Sequence, residues 1–277
     1  MEMTEADALP CAGGKLRWSV VIPVYNEKDY LPVTLESLAA QTCRFRLLLV
    51  DNGSTDGCIE EARRLIARHA IDARILREDT PGQVHALQRG IDEASTEFVA
   101  ICDADTWYPP HYLARAQELF DAGGPARVAL GALLLPDQSA AGWHTRLKRW
   151  HQLAAARIMP RQNHTSGAAQ CFRLATLRAA GGYDAQLWPY VLKDHELMHR
   201  VLLLGTQAYD RDLWCVSSDR RTSRTNVRWS LGERLAYHLT PFSWKSRFFS
   251  DFLAPRFEAR RLGDTVLRQR AWESAEG

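Results

Sequence analysis

Short, nearly unbroken apolar runs alternate along the first half of the chain with stretches whose apolar residues recur at helical spacing. "LRWSVVIPVYN" reads as a buried strand ending near Pro23. "EKDYLPVTLESLAAQT" follows, with Leu31, Leu35 and Leu38 on one helical face. "FRLLLVDNGSTDG" is a second strand running into a turn of Asn, Gly, Ser and Asp, "CIEEARRLIARHA" a helix and "ARILRED" a short strand. "GQVHALQRGIDEAS" predicts another helix before the strand "EFVAICDAD". Strand, helix, strand, helix predicts an α/β fold with a doubly wound, mostly parallel sheet and helices on both faces. Ligands of such sheets sit beyond the carboxyl ends of the strands. Here those ends carry the polar clusters "YNE", "DNGSTD" and "DAD".

Composition narrows the class. A chain of 277 residues, 46% of them apolar, can bury a sizeable core as one large α/β domain or two small ones. The net charge of +2 conceals an asymmetry: residues 1–137 hold 13 Lys+Arg against 21 Asp+Glu, leaving 22 and 12 of the totals of 35 and 33 for the rest. The second half is therefore the basic one. From Leu135 to Phe172 the only acid is Asp137, a segregation that suits an anionic partner, although a solvated basic surface explains scattered charge equally. The six cysteines form no C-x-x-C pair, so reduced thiols in a cytoplasmic protein are expected, not a zinc site or a disulfide framework. The opening "MEMTEADALPCAGGK" lacks the apolar segment of a signal peptide, and no run reaches the roughly 18 apolar residues of a membrane-spanning helix. Nucleic acid is not among the expected partners.

The stretch "FVAICDADTWYPPHY" ends a buried strand in two carboxylates, Asp103 and Asp105. Two close like charges repel and must be desolvated, unless a cation or hydrogen-bond donors compensate them. The plainer reading is a strand end capped before Pro109. Further on, "GWHTRLKRWHQLAAARI" spaces Trp143, Leu147 and Trp150 along one helical face among basic residues. Such a stripe either faces a core or docks on an anionic membrane surface. Arg220, Arg221 and Arg224 are candidates to clamp phosphate, against simple solvation in a loop.

The ordered set "VVIPVYNEKDYLPVTLESLAAQT", "LLLVDNGSTDG", "GQVHALQRGIDEA", "FVAICDADTWYPPHYL" and "SGAAQCFRLATLRAAGGYDAQLWPYVLKDHELMHRVLLLG" resembles the family-2 glycosyltransferases, which have the nucleotide-diphospho-sugar transferase (GT-A) fold. The resemblance covers about residues 17–112 and 166–205. It implies a disordered tail over 1–14 and a GT-A domain over 15–230, with a nucleotide-sugar half (15–112) and an acceptor half (113–230). A basic, aromatic, helical C-terminal extension would occupy 231–277.

By that resemblance Asp105 would ligate Mn²⁺ or Mg²⁺, with Asp103 contacting ribose or helping to hold the metal; carboxylate and phosphate oxygens suit these hard cations. Pro23, Tyr25, Glu27, Asp51 and Asn52 would bind the nucleotide. Family members that bind UDP commonly carry a second aspartate where Asn52 stands, so UDP leads and GDP and dTDP remain open. The family's Glu-Asp motif falls on Lys193–Asp194. Asp194 would then be the catalytic base of an inverting transfer of one sugar to an acceptor hydroxyl, against the alternative that it only caps the following helix. Trp188, Lys193, Glu196, Arg220, Arg221 and Arg224 are the acceptor-side or diphosphate-side candidates. Processive relatives carry Gln-x-x-Arg-Trp, matched here only by Arg228–Trp229, which favours single-sugar transfer. The implied setting is synthesis of cell-surface polysaccharide or glycolipid, with a sugar or lipid-linked acceptor. The competing classes are a sugar nucleotidyltransferase, which usually has a glycine-rich phosphate loop absent from "PVYNEKDY", and a non-catalytic nucleotide-sugar binder.

Overall fold

The computed structural model describes residues 15–135, 142–218 and 229–268. Its centre is an eight-stranded sheet built from β1 (Trp18–Val24), β2 (Phe45–Asp51), β3 (Ala73–Arg77), β4 (Phe98–Ile101), β5 (Thr106–Trp107), β6 (Arg127–Leu135), β7 (Gln170–Arg173) and β8 (Thr206–Ser217). The order is β3-β2-β1-β4-β7-β6-β8-β5. The first four strands run parallel, as the strand and helix alternation predicts. β7 then enters antiparallel between β4 and β6, and β5 closes the far edge antiparallel to β8. The second half of the sheet is thus mixed.

All seven residues of β1 are buried. A strand covered on both faces has no solvent side, which is why it reads as a continuous apolar run. In register, Val24 lies opposite Asp51 and Val21 opposite Ile101, so the polar ends of β1, β2 and β4 finish within a few residues of one another.

The helices are α1 (Leu31–Ala39), α2 (Cys58–Arg68), α3 (Gln83–Glu93), α4 (Tyr112–Gly123), α5 (Trp143–Ile158), α6 (Leu174–Ala179), α7 (Lys193–Leu202) and α8 (Leu231–Leu239). α1, α2 and α4 cover one face of the sheet. α3, α6 and α7 cover the other. Leu31, Leu35 and Leu38 are fully buried, at about 1.5–3 kcal/mol for each such side chain. α3 lies so close to β1 that a Cβ on Gly90 would collide with Val21.

Beyond the sheet, α8 opens with a capping box between Ser230 and Glu233. Tyr237, Phe248, Phe249, Leu253 and Phe257 then form a third apolar cluster with Trp188 and Val191. The segment from α8 to Leu262 is therefore packed onto the chain around Trp188 and Val191. Cys58, Cys102, Cys171 and Cys215 are free and buried. Among the described residues no helix is long and apolar enough to cross a membrane.

Candidate active site

The first two strand ends are laced together by their own side chains. Asn26, in the left-handed region at φ 54°, donates its amide N–H to Ser54 Oγ and accepts from Thr55 N–H on its side-chain oxygen at 2.7 Å. Asp51 Oδ1 accepts from Ser54 N–H at 2.8 Å, and Asp56 Oδ2 from Lys28 N–H at 2.9 Å. Asn52 is buried and its amide holds the loop after β3: Nδ2 donates to the carbonyls of Glu78 and Thr80, and Oδ1 accepts from Gly82 N–H. These bonds set the shape of the loops at the ends of β1, β2 and β3. Pro23 is buried within β1, and Tyr25 and Glu27 are half-buried at its exit.

The C-terminal segment reaches this end, which the sequence did not predict. Arg268 lies with its guanidinium carbon 3.8 Å from the centre of the Tyr25 ring and donates to the Asn52 carbonyl at 2.7 Å. Asp264 accepts from Val84 N–H, in the first turn of α3, and from Lys193 Nζ at 2.7 Å in a buried ion pair. Gly82 fits beneath it at φ 135°, where a Cβ would stand 2.9 Å from Asp264 Oδ2. Residues 180 and 216 positions apart in sequence thus meet here.

A cavity of about 960 Å³ opens next to these loops. Of the predicted residues, Asp103, Lys193 and Asp194 line it together. Asp103 is fixed from behind, its amide donating to the fully buried Tyr108 hydroxyl, which donates to Ala168 O at 2.8 Å. Asp194 stands in the first turn of α7, where the capping position is Leu192 in the left-handed region at φ 62°. Asp194 is therefore not the helix cap, and the strained turn before it sets its side chain at the cavity. Burial pushes the Asp194 carboxyl up, but His195, 3.2 Å away, together with Lys193 and a backbone N–H holds it below the ordinary carboxylate value. The group is ionised at neutral pH.

The cavity wall also contains residues absent from the predictions. His151, His164, His195 and His238 surround the acceptor side, with His164 and His238 stacked at 6.5 Å. Burial lowers the pKa of both His164 and His238. Tyr183 is 2% exposed and lines the cavity, and its hydroxyl has no hydrogen-bond partner among the described residues. Its titration is raised first by burial and then by the carboxylates of Asp194 and Asp103, which places it near both. The one signal in the sequence was the "GGYD" turn inside the resembling segment, which carries no helical or strand period.

Trp188 and Glu196 are not among the residues that line the cavity. Trp188 is buried in the third cluster and donates its indole N–H to Val191 O at 2.8 Å. Glu196 is buried against Arg200 in two bonds of 2.8 and 2.9 Å. Arg220, Arg221 and Arg224 lie outside the described residues, as do the tail over 1–14 and Arg228.

Among the described residues no group of three or more His, Cys, Asp and Glu is arranged to hold a metal. Asp105 is buried and accepts from Ser218 Oγ at 3.2 Å and Thr106 Oγ1 at 3.4 Å. Asp103 Oδ1 accepts a long bond of 3.4 Å from Gln83. Two carboxylates with hard oxygens fit Mg²⁺ or Mn²⁺ of the kind that takes its remaining ligands from substrate phosphates and water.

The parallel first half of the sheet, the antiparallel insertion at β7 and the flanking cavity define an α/β fold of the GT-A type. Residues 19–180, more than half of the chain, match the profile of glycosyl transferase family 2, and the chain belongs to that family. A solved mannosyltransferase from Pyrobaculum calidifontis, in complex with GDP-Man and Mn²⁺, superposes with a TM-score of 0.67 at 20% identity, covering 98% of this chain and 79% of that one. S. aureus TarS 1–349 in complex with UDP-GlcNAc superposes with a TM-score of 0.58 at 17% identity, covering 88% and 73%. In sequence, an undecaprenyl-phosphate 4-deoxy-4-formamido-L-arabinose transferase from Proteus mirabilis is 36% identical over 121 residues, 39% of this chain and 36% of that protein. A dodecaprenyl-phosphate galacturonate synthase from Rhizobium johnstonii is 35% identical over 100 residues, 34% of this chain and 30% of that protein. The matched stretches span about a third of these relatives' lengths.

Proposed function

We propose that the protein transfers one sugar, with inversion, from a nucleotide-diphospho-sugar to a hydroxyl of a sugar or lipid-linked acceptor, in a reaction that uses a divalent cation. The observation that carries this is the placing of two carboxylates from different halves of the chain, Asp103 and Asp194, on the wall of one cavity. The family membership, and relatives named for polyprenyl-phosphate substrates, support the same reading. UDP is the leading nucleotide, with GDP and dTDP as the alternatives. Peripheral contact with a membrane from the cytoplasmic side agrees with a lipid-linked acceptor.

The donor's base lies at the ends of β1 and β2, near Tyr25 and Asp51, and its diphosphate at the end of β4. A bound Mg²⁺ or Mn²⁺, held by Asp103 and Asp105, would offset the charge of the departing diphosphate. Asp194, ionised and half-buried, takes the proton of the acceptor hydroxyl as that oxygen attacks the anomeric carbon from the side opposite the leaving group. Lys193 is turned to Asp264 by its ion pair and acts on Asp194 through its charge.

The test is a panel of UDP-, GDP- and dTDP-sugars with Mn²⁺, comparing the wild type with Asp194→Asn and following the anomeric configuration of the product by NMR. Transfer is expected to fall roughly 10²- to 10⁴-fold in the variant, with nucleotide binding kept, the range of a positioned proton acceptor. Near wild-type transfer by the variant, or a product of retained configuration, overturns the mechanism.

A further inference from the structure

We infer that α5 and α8, the two helices that flank the mouth of the cavity, form a surface that docks on an anionic lipid bilayer. Exposed large apolar side chains are concentrated there. On α5, Trp143, Leu147, Trp150 and Ile158 are 67%, 54%, 66% and 77% exposed. On α8 and the turn after it, Leu231, Leu235, Leu239 and Trp244 are 84%, 58%, 71% and 62% exposed. Elsewhere among the described residues only Val33, Leu187, Leu203 and Leu204 are comparable. An apolar stripe on a helix normally turns inward, and a contiguous exposed one marks a contact surface.

Both stripes border the cavity. Leu147 and Trp150 each precede a residue of the cavity wall, Lys148 and His151, by one position, about 100° around the helix. Leu235 and Leu239 are likewise next in sequence to Arg234 and His238 of the same wall. The two helix ends are tied across the cavity by Gln162, which donates to the His238 carbonyl at 3.2 Å and bonds its ring at 2.9 Å.

Charge selects the occupant. Residues 142–163 contain no acid, and residues 229–247 contain only Glu233, which is buried and paired with Arg260. Arg146, Arg157 and Arg161 on the α5 side, and Arg234 and Arg247 on the α8 side, are exposed between the apolar residues. Tryptophan and leucine interleaved with arginine, with no opposing carboxylate, suit the headgroup and acyl boundary of an anionic membrane. A protein partner of mixed charge would leave these guanidinium groups without complement. Docked this way, the cavity mouth lies against the headgroups; that this delivers an acceptor rests on the function proposed above, whereas the docking does not.

The experiment is flotation of the full chain with phosphatidylcholine vesicles and with equimolar phosphatidylcholine and phosphatidylglycerol, at low and high salt. Each basic residue near an anionic surface is worth about 1 kcal/mol, so at low salt the anionic vesicles should bind at least about tenfold more strongly, with loss of the difference at high salt. Trp150→Glu with Leu235→Glu alters exposed side chains only, so circular dichroism and nucleotide binding should be unchanged while vesicle binding falls by about tenfold or more. Leu203→Glu, at the far end of α7 from the cavity residues Lys193 and Asp194, should leave vesicle binding unchanged. Equal binding to both vesicles, or wild-type binding by the double variant, overturns the inference. So does a wild-type dimer that the double variant converts to monomer, because the surface then belongs to a second copy of the chain. Vesicle binding without use of any nucleotide-sugar upholds the docking and overturns only the proposed function.

Discussion

Arg268 covers the ring of Tyr25 at 3.8 Å, so a C-terminal side chain occupies one face of an aromatic residue at the nucleotide end. A base stacking on that face must displace the guanidinium and its bond to the Asn52 carbonyl. A cation–π contact at a half-exposed site is worth about 0.5–1 kcal/mol. Arg268→Ala should therefore tighten UDP or GDP binding by roughly two- to fivefold in calorimetry. Weaker binding by the variant would instead make Arg268 a ligand of the nucleotide.

Asp194 is held below the ordinary carboxylate value of about 4 by His195 and Lys193 against the upward push of burial. If it is the base, the acid limb of kcat/KM lies below the ordinary carboxylate range, because the ionised form persists to lower pH than in a free carboxylate. Removing the neighbouring charge with Lys193→Met should move this limb upward. An acid limb near neutrality in the wild type would assign the base to another group, with His195 the first to examine.

The Tyr183 hydroxyl is buried, faces the cavity and has no partner among the described residues, an arrangement that is costly unless a substrate group supplies the bond. Tyr183→Phe should leave the melting temperature unchanged or raise it, since an unmade bond is removed. The KM for donor or acceptor should rise roughly five- to tenfold, the loss of one hydrogen bond. An unchanged KM for both would make the tyrosine a packing residue.

His199 is pushed down to about 4 by burial and by the charges of Lys245 and Arg200. Its folded pKa is depressed, so the unfolded chain binds a proton between about 6.5 and 4 where the folded protein does not. Stability is full above about pH 6.5 and is lost as pH falls toward 4. His199→Gln keeps a polar group near Ser246 Oγ, which lies 2.9 Å from His199 Nε2, and should flatten the fall in melting temperature across that window. A slope identical to the wild type would place the acid sensitivity elsewhere.

The first half of the sheet was legible because its strands and helices are long enough for their periods to show: Leu31, Leu35 and Leu38 point inward as their spacing requires, and the polar strand ends converge. Asp103 and Asp194, which share the cavity wall, each lie at the end or start of a regular element, where the family resemblance could align them. The antiparallel β7 has four residues, too few for alternation to register. Tyr183 and the contacts of Asp264 and Arg268 depend on pairings across as many as 216 positions, which no local pattern encodes. The stripe of Trp143, Leu147 and Trp150 had the right period, but a period alone cannot say whether the face it marks meets a core or the outside. Glu196 and Trp188 had the residue types of a site, but they hydrogen-bond to Arg200 and Val191 and are not among the residues that line the cavity.

The bond from Asp264 to Val84 and the contact of Arg268 with Tyr25 impose an order on biosynthesis. A nascent chain folds from its N-terminus as it leaves the ribosome, so β1, β2 and α3 can assemble long before residue 264 exists. Until then the first turn of α3 lacks its carboxylate and Lys193 lacks its counter-ion. The loops at the strand ends are thus completed only after residues 264–268 are made, some 180 positions after α3 begins, and a chain cut short of them would have the first strands of its sheet without these contacts.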